Sequence, residues 1–234
     1  MDDNFWEERQ RSDSEWFDQK YQFEDYPRHE VHDRSFVRAI IHKLQPRLPS
    51  KLLDLGCGLG WYSYLFSQAG FEVTGADMSP VGIQGAQNLY PTEEIDWVVG
   101  DGLKLDFHHE FDIVHVSNFS PFTMVDSLET EQAKLISGQI MRYLKQNGLL
   151  VFVWNSRLDE SDPQGTWANY SIKQIARYFE AVENANYLGT WATHSQLSTL
   201  FGSCSLSNFV TQLTAAGARF HSKTARIVAA VQKL

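Results

Sequence analysis

The 234-residue sequence predicts an α/β fold: a seven-stranded, parallel-dominated sheet with helices on both faces, an N-terminal helical lid and a small helical insertion late in the chain. Three observations carry this reading. Between Lys51 and Trp154, short apolar runs alternate with stretches of helical periodicity, the signature of repeated βαβ units. A glycine-rich segment, Asp54 to Gly60, follows directly on the first run. Acidic residues, Asp77 and Asp101 among them, stand where successive runs end. With 43% hydrophobic residues the chain can bury one sizeable core, so residues 1–234 are read as a single domain.

The elements follow in order. Residues 1–34 interleave acids with Phe5, Trp6, Trp16, Phe17, Tyr21, Phe23 and Tyr26. Aromatic surface at that density is costly to leave in water, so the segment is expected to fold back on the body. Residues 1–45 are read as a helical lid or cap, and an ordinary N-terminal helix on the core is the equal alternative. Val31 to Leu44 has amphipathic spacing and is stopped by Pro46 and Pro49. Lys51–Leu55 reads as a buried strand, Trp61–Ala69 as a helix ended by Gly70, and Glu72–Ala76 as a second strand. Ser79 caps a helix over Pro80–Leu89. Ile95–Val99 and Phe111–Val116 are the next strands, Asp126–Lys145 a long helix stopped by Asn147-Gly148, and Leu149–Trp154 the fifth strand. Residues 156–204 read as an insertion beside the sheet edge with a helix over Ser171–Val182. Residues 205–234 give a helix over Ser205–Ala216 and a strand over Ala225–Val231.

Composition narrows function. The formal net charge of −9 opposes a phosphate backbone, so no nucleic-acid partner is expected. The first residues carry no basic and apolar signal, and no run is apolar enough to span a bilayer, so a cytoplasmic protein without a membrane partner is expected. Cys57 and Cys204 form no disulfide framework, and no His/Cys cluster has metal-ligand spacing.

The chemistry concentrates at the strand ends. In Leu52-Leu53-Asp54-Leu55-Gly56-Cys57-Gly58-Leu59-Gly60 the glycines allow a tight turn and let backbone N–H groups approach a ligand. A carboxylate at Asp54 suits a positively charged amino group. Asp77, ending the second strand, can accept from two ribose hydroxyls, and Asp101 in Gly100-Asp101-Gly102 from an adenine amino group.

These segments resemble the glycine motif and the following acids of the class I (Rossmann-like) S-adenosylmethionine-dependent methyltransferases. The resemblance runs on through Phe111-Asp112-Ile113-Val114 and Leu144-Lys145-Gln146-Asn147-Gly148-Leu149-Leu150, with Gln-Asn-Gly where the family has Pro-Gly-Gly. It covers residues 51–154, the expected cofactor-binding core. It implies S-adenosyl-L-methionine as cofactor, with Gly56, Cys57, Gly58 and Gly60 along the methionine portion, Asp54 at its amino group and Asp77 on the ribose. Met78 would pack on adenine, and Asp101 and Gly102 would meet its edge. Tyr21 or Trp16 is the aromatic expected to close over the sulfonium.

The loop Val116-Ser117-Asn118-Phe119-Ser120-Pro121-Phe122 faintly resembles an amine-orienting Asn-Pro-Pro-aromatic motif, which makes Asn118 a candidate near the cofactor. A plain strand-to-helix loop is the favoured reading. Among the histidines, His29, His32 and His194 are possible bases, His115 reads as a hydrogen-bonded core residue and His108-His109 as a solvated turn. No catalytic residue and no metal site are assigned. The expected function is methyl transfer to a small-molecule acceptor, enclosed in part by Trp154, Trp167, Tyr170 and Trp191. A protein or peptide methyltransferase, a non-catalytic binding module and a nicotinamide oxidoreductase are the alternatives.

Overall fold

The computed structural model describes residues 3–22, 30–123, 128, 130–157, 170–193 and 224–234. In chain order these give α1 (Asp3–Gln22), α2 (Glu30–Leu44), β1 (Lys51–Leu55), α3 (Trp61–Ser67), β2 (Glu72–Asp77), α4 (Pro80–Leu89) and β3 (Ile95–Val99). Then follow β4 (Phe111–Ser117), a 3₁₀ turn at Ser120–Thr123, α5 (Glu131–Tyr143), β5 (Leu144–Arg157), α6 (Ile172–Glu180), β6 (Ala185–Thr193) and β7 (Thr224–Lys233). Among the described residues seven strands form one sheet, ordered β3-β2-β1-β4-β5-β7-β6. The first five are parallel, and β7 runs antiparallel between β5 and β6. The chain winds outward from β1 to β3, then crosses back to start the other half at β4. That reversal opens a crevice beyond the C-terminal ends of β1 and β4, where open α/β sheets bind ligands.

Strand alternation divides the core in two. Leu53, Leu55, Val114, Val116, Phe152 and Ile227 pack toward α5 and α6, on Ile136, Ile140, Ile175 and Phe179. Their neighbours Leu52, Ile113, Val151, Val153 and Val228 pack toward α2 and α3, on Phe36, Val37, Ile40, Leu65 and Phe66. Two covered faces explain why these strands read as continuous apolar runs.

Local chemistry sets the helix ends. Ser79 accepts from Gly82 N with Pro80 at the first position of α4, and Ser171 forms a capping box with Gln174 on α6. Thr130 accepts from Ala133 N, which starts α5 at Glu131 rather than at the expected Asp126. The helix also ends earlier than expected, at Tyr143. Asn147, with φ 63°, and Gly148 lie inside β5, where the pairing slips from Phe111↔Leu144 to Ile113↔Leu149. The expected helical insertion at 156–204 holds the helix read over Ser171–Val182, present as α6, but it is not helical throughout. Its residues extend β5 to Arg157 and supply the edge strand β6, whose pairing with β7 shifts register at Gly189. The expected helix over 205–216 lies outside the described residues. At the other end, α1 packs on α4, and the Ser79 hydroxyl donates to Asp18.

Candidate active site

A cavity of about 450 Å³ lies at the crevice. Its floor is the turn after β1. Gly56 and Cys57 both donate their N–H groups to Ala76 O, at 2.8 and 3.1 Å, and Gly58 N donates to Asp77 Oδ2 at 2.8 Å. Gly58, at φ 55°, faces the cavity, and a Cβ there would come within 2.7 Å of the Tyr21 hydroxyl. Gly60, at φ 74°, was expected beside it but lies outside the wall. A Cβ on Gly60 would meet Trp97 Cη2 at 2.4 Å and Ala86 Cβ at 2.9 Å, so its bareness serves the seating of α3 and α4 on the sheet.

The three acids have distinct surroundings. Asp77 accepts from Gly58 N and, through Oδ1, from Ser79 N at 2.9 Å. Burial still dominates and pushes its carboxyl up to about 6, partly opposed by those two amides, with Asp54 and Asp18 adding repulsion. Asp101 accepts from Leu103 N at 2.9 Å through Oδ1. Its Oδ2 is buried without a hydrogen-bond partner, with the Lys104 ammonium 3.6 Å away. Asp54 lines the cavity but is already engaged, accepting from Ser63 Oγ at 2.6 Å and facing His115 Nδ1 at 2.8 Å. The sheet register creates that last contact, since Asp54 and His115 are direct partners across β1 and β4.

Met78 and Gly102 line the cavity, and Gly102 is held by the Tyr143 hydroxyl donating to its carbonyl at 2.9 Å. Cys57 also lines it, with its thiol pushed well up by burial and by Asp77 and Asp54. A thiol so raised is a poor nucleophile, consistent with a packing role. Asn118 adopts φ 48°, and its carboxamide oxygen accepts from Asn155 N at 2.9 Å, which fixes the loop after β4 against β5. Ser117, Phe119, Ser120 and Pro121 complete that wall.

α1 supplies Phe17, Lys20 and Tyr21 to the opposite wall. Tyr21 is buried over Gly58 and Gly82, whereas Trp16 is 47% exposed and takes no part. Other expectations are corrected. Trp154 stacks on Phe152 inside the core, Tyr170 donates its hydroxyl to Phe122 O, and Trp191 is buried under Lys43. None of the three lines the cavity; Trp167, His29 and His194 lie outside the described residues. His115 is fully buried between Tyr62 and Phe66, as a core histidine, and His32 is buried away from the wall.

Sequence reasoning missed Asp33 from α2, Trp61 and Tyr62 from α3, Asn155 from β5 and Arg226 from β7. Asp33 and Arg226 pair at 2.9 Å across 193 positions, which no local pattern signals. Trp61 and Tyr62 open a helix straight after the glycine turn, and that placement was the available clue.

Comparison with known proteins agrees with this geometry. Residues 53–152 match the family model described as "Methyltransferase domain". A 2-methyl-6-phytyl-1,4-hydroquinone methyltransferase from Synechocystis is 30% identical over 128 residues, covering 53% of this chain and 38% of that protein. A ubiquinone/menaquinone biosynthesis C-methyltransferase from Cereibacter sphaeroides is 30% identical over 158 residues, covering 64% and 60%. The chain therefore spans between about two fifths and three fifths of the length of these relatives. A geranyl diphosphate methyltransferase solved with SAM superposes with a TM-score of 0.61 at 16% identity, covering 86% of this chain and 85% of that one, a likeness of fold. The core of the chain is thus similar to a methyltransferase domain over residues 53–152, and its sheet shares the fold of a solved methyltransferase.

Proposed function

We propose that this domain binds S-adenosyl-L-methionine and transfers its methyl group to a small-molecule acceptor. The observation that carries the cofactor is the row of acids at the tips of β1, β2 and β3, ending in a buried Asp101 Oδ2 with no hydrogen-bond partner. An amino donor from adenine satisfies that atom. The bare Cα of Gly58 and the wall residues Met78 and Gly102 fit the rest of an adenosyl group, and Asp77 fits a pair of ribose hydroxyls. Asp54 offers its charge to an ammonium group. The sulfonium supplies an already activated methyl group, so the protein's task is alignment and exclusion of water.

This chain's own residues suit that task. Tyr21 and Phe17 cover the glycine turn, and the loop held by Asn118 closes the side toward β5. The wall carries no histidine among the described residues, and Tyr62 is held protonated by burial. The quinone-related names of the curated relatives support a small acceptor over a peptide. A cytoplasmic setting belongs to this reading; no described helix is long and apolar enough to cross a membrane. Closure by α1 is also part of it.

The test is transfer of label from methyl-labelled S-adenosylmethionine to a metabolite extract and, separately, to a peptide library. Label in small extractable products is the expected result. Label confined to peptides would overturn the acceptor class.

A further inference from the structure

The cavity extends past the part that suits the cofactor. Beyond Asp54 its wall is Asp33, Trp61, Tyr62, Asn155 and Arg226. Asp33 is 3% exposed and accepts from Arg226 Nη1 at 2.9 Å, Trp61 Nε1 at 2.9 Å and the Tyr62 hydroxyl at 3.2 Å. The Arg226 guanidinium lies over the Phe36 ring at 4.6 Å and the Tyr62 ring at 5.7 Å. One nitrogen and the planar face of the cation are thus held before any ligand arrives.

Stability is a poor reason for this arrangement. Withdrawing two charges from water costs several kcal/mol, and apolar replacements of buried pairs are often as stable. The cofactor's sulfonium and ammonium are both positive and repel a guanidinium. Its carboxylate is the exception, and Lys20, next to the Tyr21 that covers Gly58, is a second cation on the cavity wall. Arg226 instead enters from β7, separated from β1 by β4 and β5 and on the side away from Asp77 and Asp101. A planar fork of donors suits a carboxylate in particular.

We infer that Arg226, held by Asp33, recognises a carboxylate on the methyl acceptor, so that the acceptors are small carboxylic acids. The inference rests on the proposed cofactor reading. Arg226 meets the acceptor directly, and Asp33 acts as a positioning residue through it.

The experiment uses protein saturated with S-adenosylhomocysteine and titrated with benzoate, phenylacetate, indole-3-acetate and hexanoate, each beside its amide. At least one acid should bind about tenfold more tightly than its amide. Arg226→Gln should abolish that preference and Arg226→Lys should keep part of it, with S-adenosylmethionine affinity unchanged within about twofold. Should Arg226→Gln fail to fold because Asp33 is left unpaired, the double variant Asp33→Asn/Arg226→Gln removes both charges together and carries the same expectation. No acid preferred over its amide by wild type overturns the inference. So does a roughly tenfold loss of S-adenosylmethionine binding in Arg226→Gln with 5′-methylthioadenosine unaffected, which assigns the cation to the cofactor's carboxylate. Absence of S-adenosylhomocysteine binding to wild type overturns the cofactor reading and this inference with it.

Discussion

Asp77 carries a conflict between stability and binding that pH can expose. Its carboxyl is raised from 3.8 to about 6, mainly by burial. A group whose folded pKa lies above its unfolded value binds its proton more tightly in the fold. The stability it contributes is therefore complete below about pH 3.8 and lost as pH rises through about 6. A shift of about two units, at about 1.4 kcal/mol each, makes the loss about 3 kcal/mol. Asp77→Asn removes the titration. Its carboxamide oxygen keeps one of the two amide bonds from Gly58 and Ser79, and the lost second acceptor is a constant offset that pH does not alter. Urea unfolding of both proteins from about pH 4 to pH 8 is the assay. The stability of Asp77→Asn relative to wild type should rise by about 3 kcal/mol between about pH 4 and pH 6 and then level off. A flat difference, or one that falls as pH rises, would refute a raised carboxyl and with it the dominance of burial over the two amides. In the same window wild-type affinity for S-adenosylmethionine should fall about tenfold per pH unit below 6, because ribose hydroxyls donate to the ionised form.

Further outcomes follow from the same geometry. Gly58→Ala should cost about 1–2 kcal/mol for its positive φ and its clash with Tyr21, and should weaken cofactor binding. Adding Tyr21→Phe should recover part of that loss in a thermal melt, since the nearest obstacle moves from 2.7 to 3.1 Å. Gly60→Ala should destabilise by about 2–3 kcal/mol through Trp97 and Ala86, read by urea midpoint. His115→Leu leaves Asp54 buried on Ser63 alone and should cost about 3 kcal/mol. Asp54→Asn in that background should restore part of it, and a double-mutant cycle measures the coupling.

Legibility in the sequence tracked how local each cause is. α4 could be read to its ends because Ser79 and Pro80 form its cap, and β1 because both faces of that strand are covered. β6 was not, since Asn186 and Gly189 interrupt its alternation and its place at the edge depends on pairing with the distant β7. The long helix α5 was overextended because its cap, Thr130, lacks a flanking turn signal in the sequence. At the site, Asp54, Asp77 and Asp101 were legible because strand ends converge in any parallel sheet. The tryptophans misled for the opposite reason. Trp154 shares its strand face with Phe152, so period-two alternation places it in the core. Asp33 and Arg226 meet only through the assembled sheet, and no spacing along the chain brings them together.

The central claim is tested most directly by titration calorimetry of the wild-type chain with S-adenosylmethionine, S-adenosylhomocysteine and NADH at pH 7.5. Micromolar binding of the two adenosyl ligands, weakened about tenfold or more by Asp101→Ala and absent for NADH, is the predicted result. Binding of NADH alone, or of none of the three, would contradict it.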